Sequence, residues 1–119
     1  MTALPIEVQA NELIIGGQRV PLISGEMHFF RLDPADWERC LRQIKAMGIP
    51  IVATYLDWRR HSLGPDENDL TGRTDPRLNV PRFLELCKQI GLWVHVKPGP
   101  WICAEEINGG YPDWLVKDP

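Results

Sequence analysis

Two segments with helical periodicity, each flanked by short apolar runs, constrain the fold of this chain more than any other feature. In LDPADWERCLRQIKAMG, Asp33 suits the N-cap, Pro34 the first helical position and Gly48 the residue that ends the helix. Apolar residues recur at helical spacing and form one face: Trp37, Cys40, Leu41, Ile44 and Met47. We therefore predict an amphipathic helix over about residues 34–47.

The segment NVPRFLELCKQIG repeats this pattern, with Asn79 as the N-cap and Gly91 as the stop. Its apolar face consists of Phe83, Leu84, Cys87 and Ile90. Three apolar runs alternate with the two helices, at residues 22–28, 49–58 and 92–99. The middle run is nearly continuous, which is typical of a strand buried on both faces.

The order strand, helix, strand, helix, strand indicates right-handed crossovers and a parallel sheet. Long links follow the strands and short links follow the helices, which is typical of a (β/α)8 barrel. We predict an α/β fold: the N-terminal portion of a (β/α)8 TIM barrel, about three strands and two helices at residues 22–119, preceded by a β-hairpin lead-in at 1–21. A doubly wound sheet is the alternative, but SGEMHFFR lacks its glycine-rich phosphate turn.

The chain has 119 residues, whereas a complete barrel needs about 250. We therefore expect an incomplete barrel with an open sheet edge. Such an edge offers unpaired backbone groups to another strand. The expected protein partners are the remainder of the barrel, or a second copy through the open edge.

Composition excludes several other functions. The net charge of −3 and the absence of a basic stripe argue against nucleic acid. The longest apolar runs are far shorter than the roughly 20 residues of a membrane span, and no basic leader begins the chain, so we expect a cytoplasmic protein. Three cysteines and three histidines without metal-binding spacing predict neither a disulfide framework, a metal site nor a cofactor.

Polar and aromatic residues follow each predicted strand. They are Glu26, His28 and Arg31 after the first; Tyr55, Asp57, Trp58 and His61 after the second; and Lys97, Trp101, Glu105, Glu106 and Asn108 after the third. Because the C-terminal ends of parallel strands meet at one rim, these clusters indicate a pocket for a polyol or sugar. Because loops are generally polar, any one of these clusters alone is weak evidence for a binding site.

Several motifs occur in one order: SGEMHFFR, TYLDWRRH, DLTGRTD, GLWVHVKPGPWICAE and GGYPDWL. Together they resemble the N-terminal part of the β-galactosidases of glycoside hydrolase family 35, over about residues 12 to 116. The resemblance implies a retaining enzyme on a (β/α)8 barrel that cleaves terminal β-D-galactosides. It also implies that Tyr55 lines the galactose pocket and that Cys103, Ala104 and Glu105 contact the sugar hydroxyls.

The resemblance places the catalytic pair outside this chain, with the acid/base glutamate after a fourth strand and the nucleophile after a seventh. We therefore assign no catalytic residue here and expect the chain alone to be inactive. Glu105 and Glu106 do not suit the pair, which needs two carboxyl groups about 5 Å apart across one bond. Neighbours in an extended segment point to opposite sides. We expect Glu106 to be a solvated or ion-paired bystander.

Some residues depart from the family pattern. Glu26 stands in place of serine and Phe29 in place of tyrosine, Arg59 and Ser62 replace asparagine and glutamate, and Glu106 replaces tryptophan. These departures leave two alternatives open. One is a related TIM-barrel β-glycosidase with another sugar specificity, and the other is a non-catalytic sugar-binding or interaction module.

The histidines and Asp57 at the rim can have structural roles instead of binding sugar. His28 and His61 are expected to bond neighbouring loops rather than sugar, since loop histidines commonly do so. Asp57 is expected to form an ion pair with Arg31 or Arg59.

Three tryptophans and a lysine at the rim have structural interpretations as well. Trp58 and Trp114 suit packing under loops, and Trp101 is expected to pack beneath Glu105. Lys97 either orients a carboxylate or is solvated.

Overall fold

The computed structural model describes residues 2–117. Its strands are β1 (Ile6–Gln9), β2 (Glu12–Ile15), β3 (Gln18–Val20), β4 (Ser24–Glu26), β5 (Ile51–Tyr55), β6 (Ser62–Gly64), β7 (Glu67–Asn68) and β8 (Trp93–Lys97). Its helices are α1 (Pro34–Ala46), α2 (Trp58–His61), α3 (Val80–Ile90) and α4 (Asp113–Val116), with 3-10 turns at Phe29–Arg31, Pro76–Leu78 and Ile107–Gly110. The predicted α/β class is confirmed.

The central sheet is parallel, with strand order β4-β5-β8. Each strand therefore lies beside its predecessor in the chain, and α1 contacts α3. This sequential arrangement is the one the alternating pattern predicts. The C-terminal residues of the three strands, Glu26, Tyr55 and Lys97, consequently end at the same edge of the sheet.

The helix boundaries follow from their caps. The Asp33 carboxylate accepts a hydrogen bond from the Ala35 amide at 2.9 Å, and α1 begins at Pro34. The Asn79 side chain accepts from the Arg82 amide at 3.0 Å, and Gly91 ends α3 with φ of 83°. Both predicted helices are confirmed to within about one residue. In residues 2–117, no helix combines the length and apolar character required to cross a bilayer.

An aromatic cluster forms the centre of the core. The Phe29 ring stacks on Phe83 at 4.7 Å between centroids and meets the edge of Trp37 at 5.7 Å. The Trp37 indole N–H donates to the Phe29 carbonyl at 2.9 Å. Phe29, Trp37 and Phe83 are fully buried. The turn that follows β4 is therefore fixed to both long helices.

The N-terminal segment differs from the prediction. It is a three-stranded antiparallel sheet, β1-β2-β3, rather than a single hairpin, because Gln18–Val20 pairs with β2 instead of serving as flexible turn. Ile15 and Val20 pack against Ile51 of the central sheet. The first parallel strand is also shorter than the predicted 22–28. The division of the chain at residue 21 stays a prediction.

The long link after β5 contains secondary structure of its own. It contains α2, the β6-β7 hairpin and a turn organised by the buried Asp69. The Asp69 carboxylate accepts hydrogen bonds from the amides of Thr71, Gly72 and Thr74 at 3.0, 2.9 and 2.7 Å, and from the Thr74 hydroxyl. These bonds hold the pKa of Asp69 well below its usual range.

We predict that Trp37→Ala lowers the free energy of unfolding by about 3–5 kcal/mol, because it removes a large side chain from a closed aromatic cluster. Met47→Ala is the control, since Met47 is 67% exposed at the end of the same helix. Urea denaturation measures both changes. A loss at Trp37 no larger than that at Met47 would contradict this account of the core.

Candidate sugar-binding site

The three strand ends form the floor of the candidate site. The Lys97 ammonium lies 4.0 Å from the centroid of the Tyr55 ring and bonds the Glu26 carboxylate. This hydrogen bond lowers the pKa of Glu26 and raises the pKa of Lys97. The Glu26 side chain is half exposed, at 52%. Lys97 thus orients a carboxylate, which is one of the two roles expected for it.

His28 lies beside this floor. Its ring centroid is 5.4 Å from that of Tyr55, and its Nε2 is 3.9 Å from a Glu26 oxygen. Burial and the positive charge of Arg31 lower the pKa of His28, while the charges of Glu26 and Glu105 oppose that shift. The ring is therefore largely neutral at pH 7. Its Nδ1 is buried and has no hydrogen-bond partner within residues 2–117.

The predicted binding triplet lies in the segment 98–112 that follows β8. Cys103 and Glu105 are exposed, whereas Ala104 is fully buried. The Arg31 guanidinium donates to the Ala104 carbonyl oxygen, and His28 of the same turn contacts Tyr55. The segment after β8 therefore lies against the turn that follows β4, at the C-terminal end of the sheet.

The two adjacent glutamates diverge, as expected, but for a different reason. Glu105 has φ of 48°, in the left-handed region, so the segment is not extended there. Glu106 turns inward and its side chain is 5% exposed. The Arg60 guanidinium donates to both Glu106 oxygens, at 2.9 and 3.3 Å. Of the two alternatives expected for Glu106, solvation or an ion pair, the structure shows the ion pair.

Asp57 is fully buried beside Glu106. Its ion-pair partner is Arg60, at 3.3 Å, and not Arg31 or Arg59 as predicted. Arg59 instead contacts Asp113 at 3.1 Å. The spacing of Asp57 and Arg60, three residues apart across a helix start, is the signal in the sequence that indicates this pair.

The ionisations of Asp57 and Glu106 depend on each other, and we expect the two carboxyl groups to share one proton. Burial, together with the neighbouring Glu106 carboxylate, raises the pKa of Asp57 to about 6. Burial also opposes ionisation of Glu106, but hydrogen bonds from Arg60 and Asp57 hold the pKa of Glu106 at about 2. A protonated Asp57 that donates to an ionised Glu106 is therefore the favoured form at mildly acid pH.

Other predicted structural roles are partly confirmed. His61 Nδ1 lies 2.6 Å from the Asp69 carbonyl oxygen, so this histidine does bond a neighbouring loop. Trp58 meets Trp114 edge to face at 5.8 Å, as expected for residues that pack under loops. Trp101 is 58% exposed and its indole lies over Gly109, so its predicted position beneath Glu105 is wrong.

Solved structures share the fold. The chain matches endocellulase structures from Pyrococcus horikoshii, with TM-scores of 0.51 and 0.53 at 15% and 16% sequence identity. Each match covers 82% of this chain and 32% or 31% of the endocellulase chain. This likeness concerns the fold alone.

Relatives at higher identity are named for reactions on sugars. A β-1,2-glucosyltransferase of Ignavibacterium album is 46% identical over 85% of this chain. An exo-β-D-glucosaminidase of Pyrococcus horikoshii is 35% identical over 98%, and a β-galactosidase of Bos taurus is 36% identical over 94%. The chain spans 14–16% of the length of these relatives.

Fold and residue pattern together place the chain among the glycosyl hydrolases. The model of glycosyl hydrolases family 35 matches residues 12–119. The chain belongs to this family, and the resemblance drawn from its motifs is confirmed.

We predict that Asp57→Asn flattens the pH dependence of stability between about pH 4 and 6. The pKa of Asp57 is raised in the folded state, so its stabilising contribution is complete below about pH 4 and is lost as the pH rises through about 6. Glu106 acts in the opposite sense, since its lowered pKa removes stability as the pH falls from about 4.5 toward 2.

Urea denaturation at several pH values tests this prediction. The wild type should lose on the order of 2 kcal/mol of unfolding free energy from this pair between about pH 4 and 6, and Asp57→Asn should not. Asp75→Asn is the control, because the pKa of Asp75 is lowered by Arg77 and its effect falls at lower pH. An equal decline in wild type and Asp57→Asn would refute the shared proton.

Proposed function

We propose that this chain supplies part of the sugar pocket of a retaining glycoside hydrolase that removes terminal β-D-galactosyl units. The observation that carries this proposal is the grouping of Tyr55, His28 and the Glu105 loop at one end of a parallel sheet in a chain of family 35. The C-terminal edge of such a sheet is where barrel enzymes bind substrate. Carbohydrate is therefore the proposed substrate class.

The sequential order β4-β5-β8 supports a (β/α)8 barrel, of which this chain forms the first three parallel strands. Five further strands would come from the rest of the protein. The resemblance to family 35 implies that the acid/base and nucleophile carboxyl groups belong to that remainder, where they would face one glycosidic bond. The 119-residue chain alone is then inactive.

Glu105 is the principal recognition group of the proposed pocket. An exposed, ionised carboxylate accepts two charge-assisted hydrogen bonds from neighbouring hydroxyls, which discriminates between epimers. Of the residues before it, Cys103 is exposed like Glu105, whereas Ala104 is buried. Tyr55, with the cation of Lys97 over its ring, presents a polar edge to the same space.

A second candidate is action on a gluco-configured sugar, by hydrolysis or transfer. Two relatives support it, the glucosyltransferase at 46% identity and the glucosaminidase at 35%. Glu26, a departure from the family pattern, lies at the floor beside Tyr55 and suits a changed specificity. Transfer uses the same covalent glycosyl intermediate, with an acceptor sugar hydroxyl in place of water.

The complete protein, assayed on nitrophenyl β-galactoside, β-glucoside and β-glucosaminide, tests the substrate. Highest kcat/KM on the galactoside supports the proposal. Preference for either of the other two refutes the galactoside assignment and favours the second candidate. No turnover of any of them, by folded protein, would favour a non-catalytic sugar-binding module.

We predict that Glu105→Gln in the complete protein lowers kcat/KM about 10- to 100-fold, because a charge-assisted hydrogen bond to a sugar hydroxyl becomes neutral. Glu85→Gln, an exposed substitution on α3, is the matched control and should change nothing. Steady-state kinetics on the preferred nitrophenyl glycoside measures both. Unchanged kinetics in Glu105→Gln would remove this residue from the pocket.

A further inference from the structure

Arg31 contacts the backbone segment on both sides of Glu105. Its guanidinium donates to the carbonyl oxygen of Ala104, the residue before, and lies 3.4 Å from a carboxylate oxygen of Glu106, the residue after. Arg31 itself comes from the 3-10 turn that follows β4 and is anchored by the buried Phe29. A rigid part of the fold thus holds the two neighbours of the exposed carboxylate.

The backbone conformation of Glu105 requires contacts that keep it in place. A φ of 48° is uncommon for a residue with a Cβ, and it persists only where surrounding contacts determine it. The Ala104 side chain is buried, and the Glu106 side chain is buried in the opposite direction from the exposed Glu105. The inward anchors on each side force the Glu105 side chain outward.

The Glu106 anchor is strong because two guanidinium groups share it. Arg60 donates through two nitrogens in the forked geometry that suits a carboxylate. Arg31 and Arg60 also lie against the ring of Phe30, at 5.6 and 5.3 Å from its centroid. The buried Phe30 ring therefore contacts both of the cations that face Glu106.

We propose that Glu106 is a positioning residue, which with Arg31 fixes the backbone around Glu105 and so sets where the Glu105 carboxylate meets the sugar. This inference rests on the proposed function, since it assigns Glu106 a role in the same pocket. Glu106 does not touch the substrate. It acts through the backbone of residues 104–106, which its buried carboxylate anchors.

Kinetics of the complete protein test the role in recognition. Glu106→Ala should weaken binding of the glycone monosaccharide, measured as its inhibition constant, by about 10-fold, and Glu106→Gln, which keeps the shape and one acceptor oxygen, by about 3-fold. The KM should rise more than kcat falls, because the substitution misplaces a binding group. Arg31→Lys, which keeps the charge but loses the fork, should resemble Glu106→Ala.

The matched control is Asp113→Asn. It weakens an ion pair just beyond that segment, between Arg59 and Asp113 of α4 at 3.1 Å, without touching the neighbours of Glu105. This control should leave the inhibition constant within about 2-fold of the wild-type value, even if it lowers the thermal stability. If Glu106→Ala lowers stability as Asp113→Asn does and leaves the inhibition constant unchanged, Glu106 is merely structural and the proposal is overturned.

Hydrogen exchange separates this inference from the proposed function. In the complete protein without sugar, Glu106→Ala should speed amide exchange at residues 104–106 about 10-fold or more, while Asp113→Asn should not. Unchanged exchange overturns the positioning role even if the protein is a glycosidase. Faster exchange in a protein that neither binds nor cleaves any of the three glycosides retains the positioning role and refutes only the function.

Discussion

The geometry of the candidate site depends on the packing of Phe29 between Trp37 and Phe83. This contact ties the turn after β4 to α1 and α3, which are far apart in the chain. Residues on either side of Phe29 then project toward the sheet end: His28 toward Tyr55, and Arg31 toward the segment after β8. A buried aromatic cluster thereby fixes polar groups that lie above it, and a change in the core would displace the site.

Charge adds a second constraint. Arg31 and Arg60 face Glu106 and Asp57, with Asp75 close to Arg60 and His28 close to Arg31. Full ionisation of both carboxyls would neutralise the two guanidinium groups, yet burial of Asp57 opposes it and the pair retains a proton up to about pH 6. Desolvation therefore outweighs local charge balance, as is usual for a carboxyl group without exposed oxygen atoms.

The sequence alone predicts the local features well. Helix bounds depend on Asp33, Asn79 and Gly91, which act within a few residues. The apolar runs locate the parallel strands, although the first strand is shorter than its run. Family motifs indicate the identity of the rim residues, though their roles stay predictions. The sequence does not predict the partner of Glu106, because Arg60 lies 46 residues away in the chain.

The dependence on contacts between distant segments also explains two predictions that differ from the structure, those for β3 and Trp101. The GGQRV sequence has the pattern of a flexible turn, and the pairing of Gln18–Val20 with β2 is accompanied by packing of Val20 on Ile51. For Trp101 the motif predicts a place beneath Glu105, but the indole lies over Gly109.

The free edge of β8 is one place where a further strand of the proposed barrel can pair. Within residues 2–117, β8 pairs only with β5. A further parallel strand at that edge would lie about 4.8 Å away, so its C-terminal end would stand beside Lys97, at the side of the pocket opposite Glu26. A carboxyl group on that strand end would enter the space beside Tyr55 and the Glu105 loop. The proposed pocket is therefore open toward the edge of the sheet at which a further strand can pair with β8.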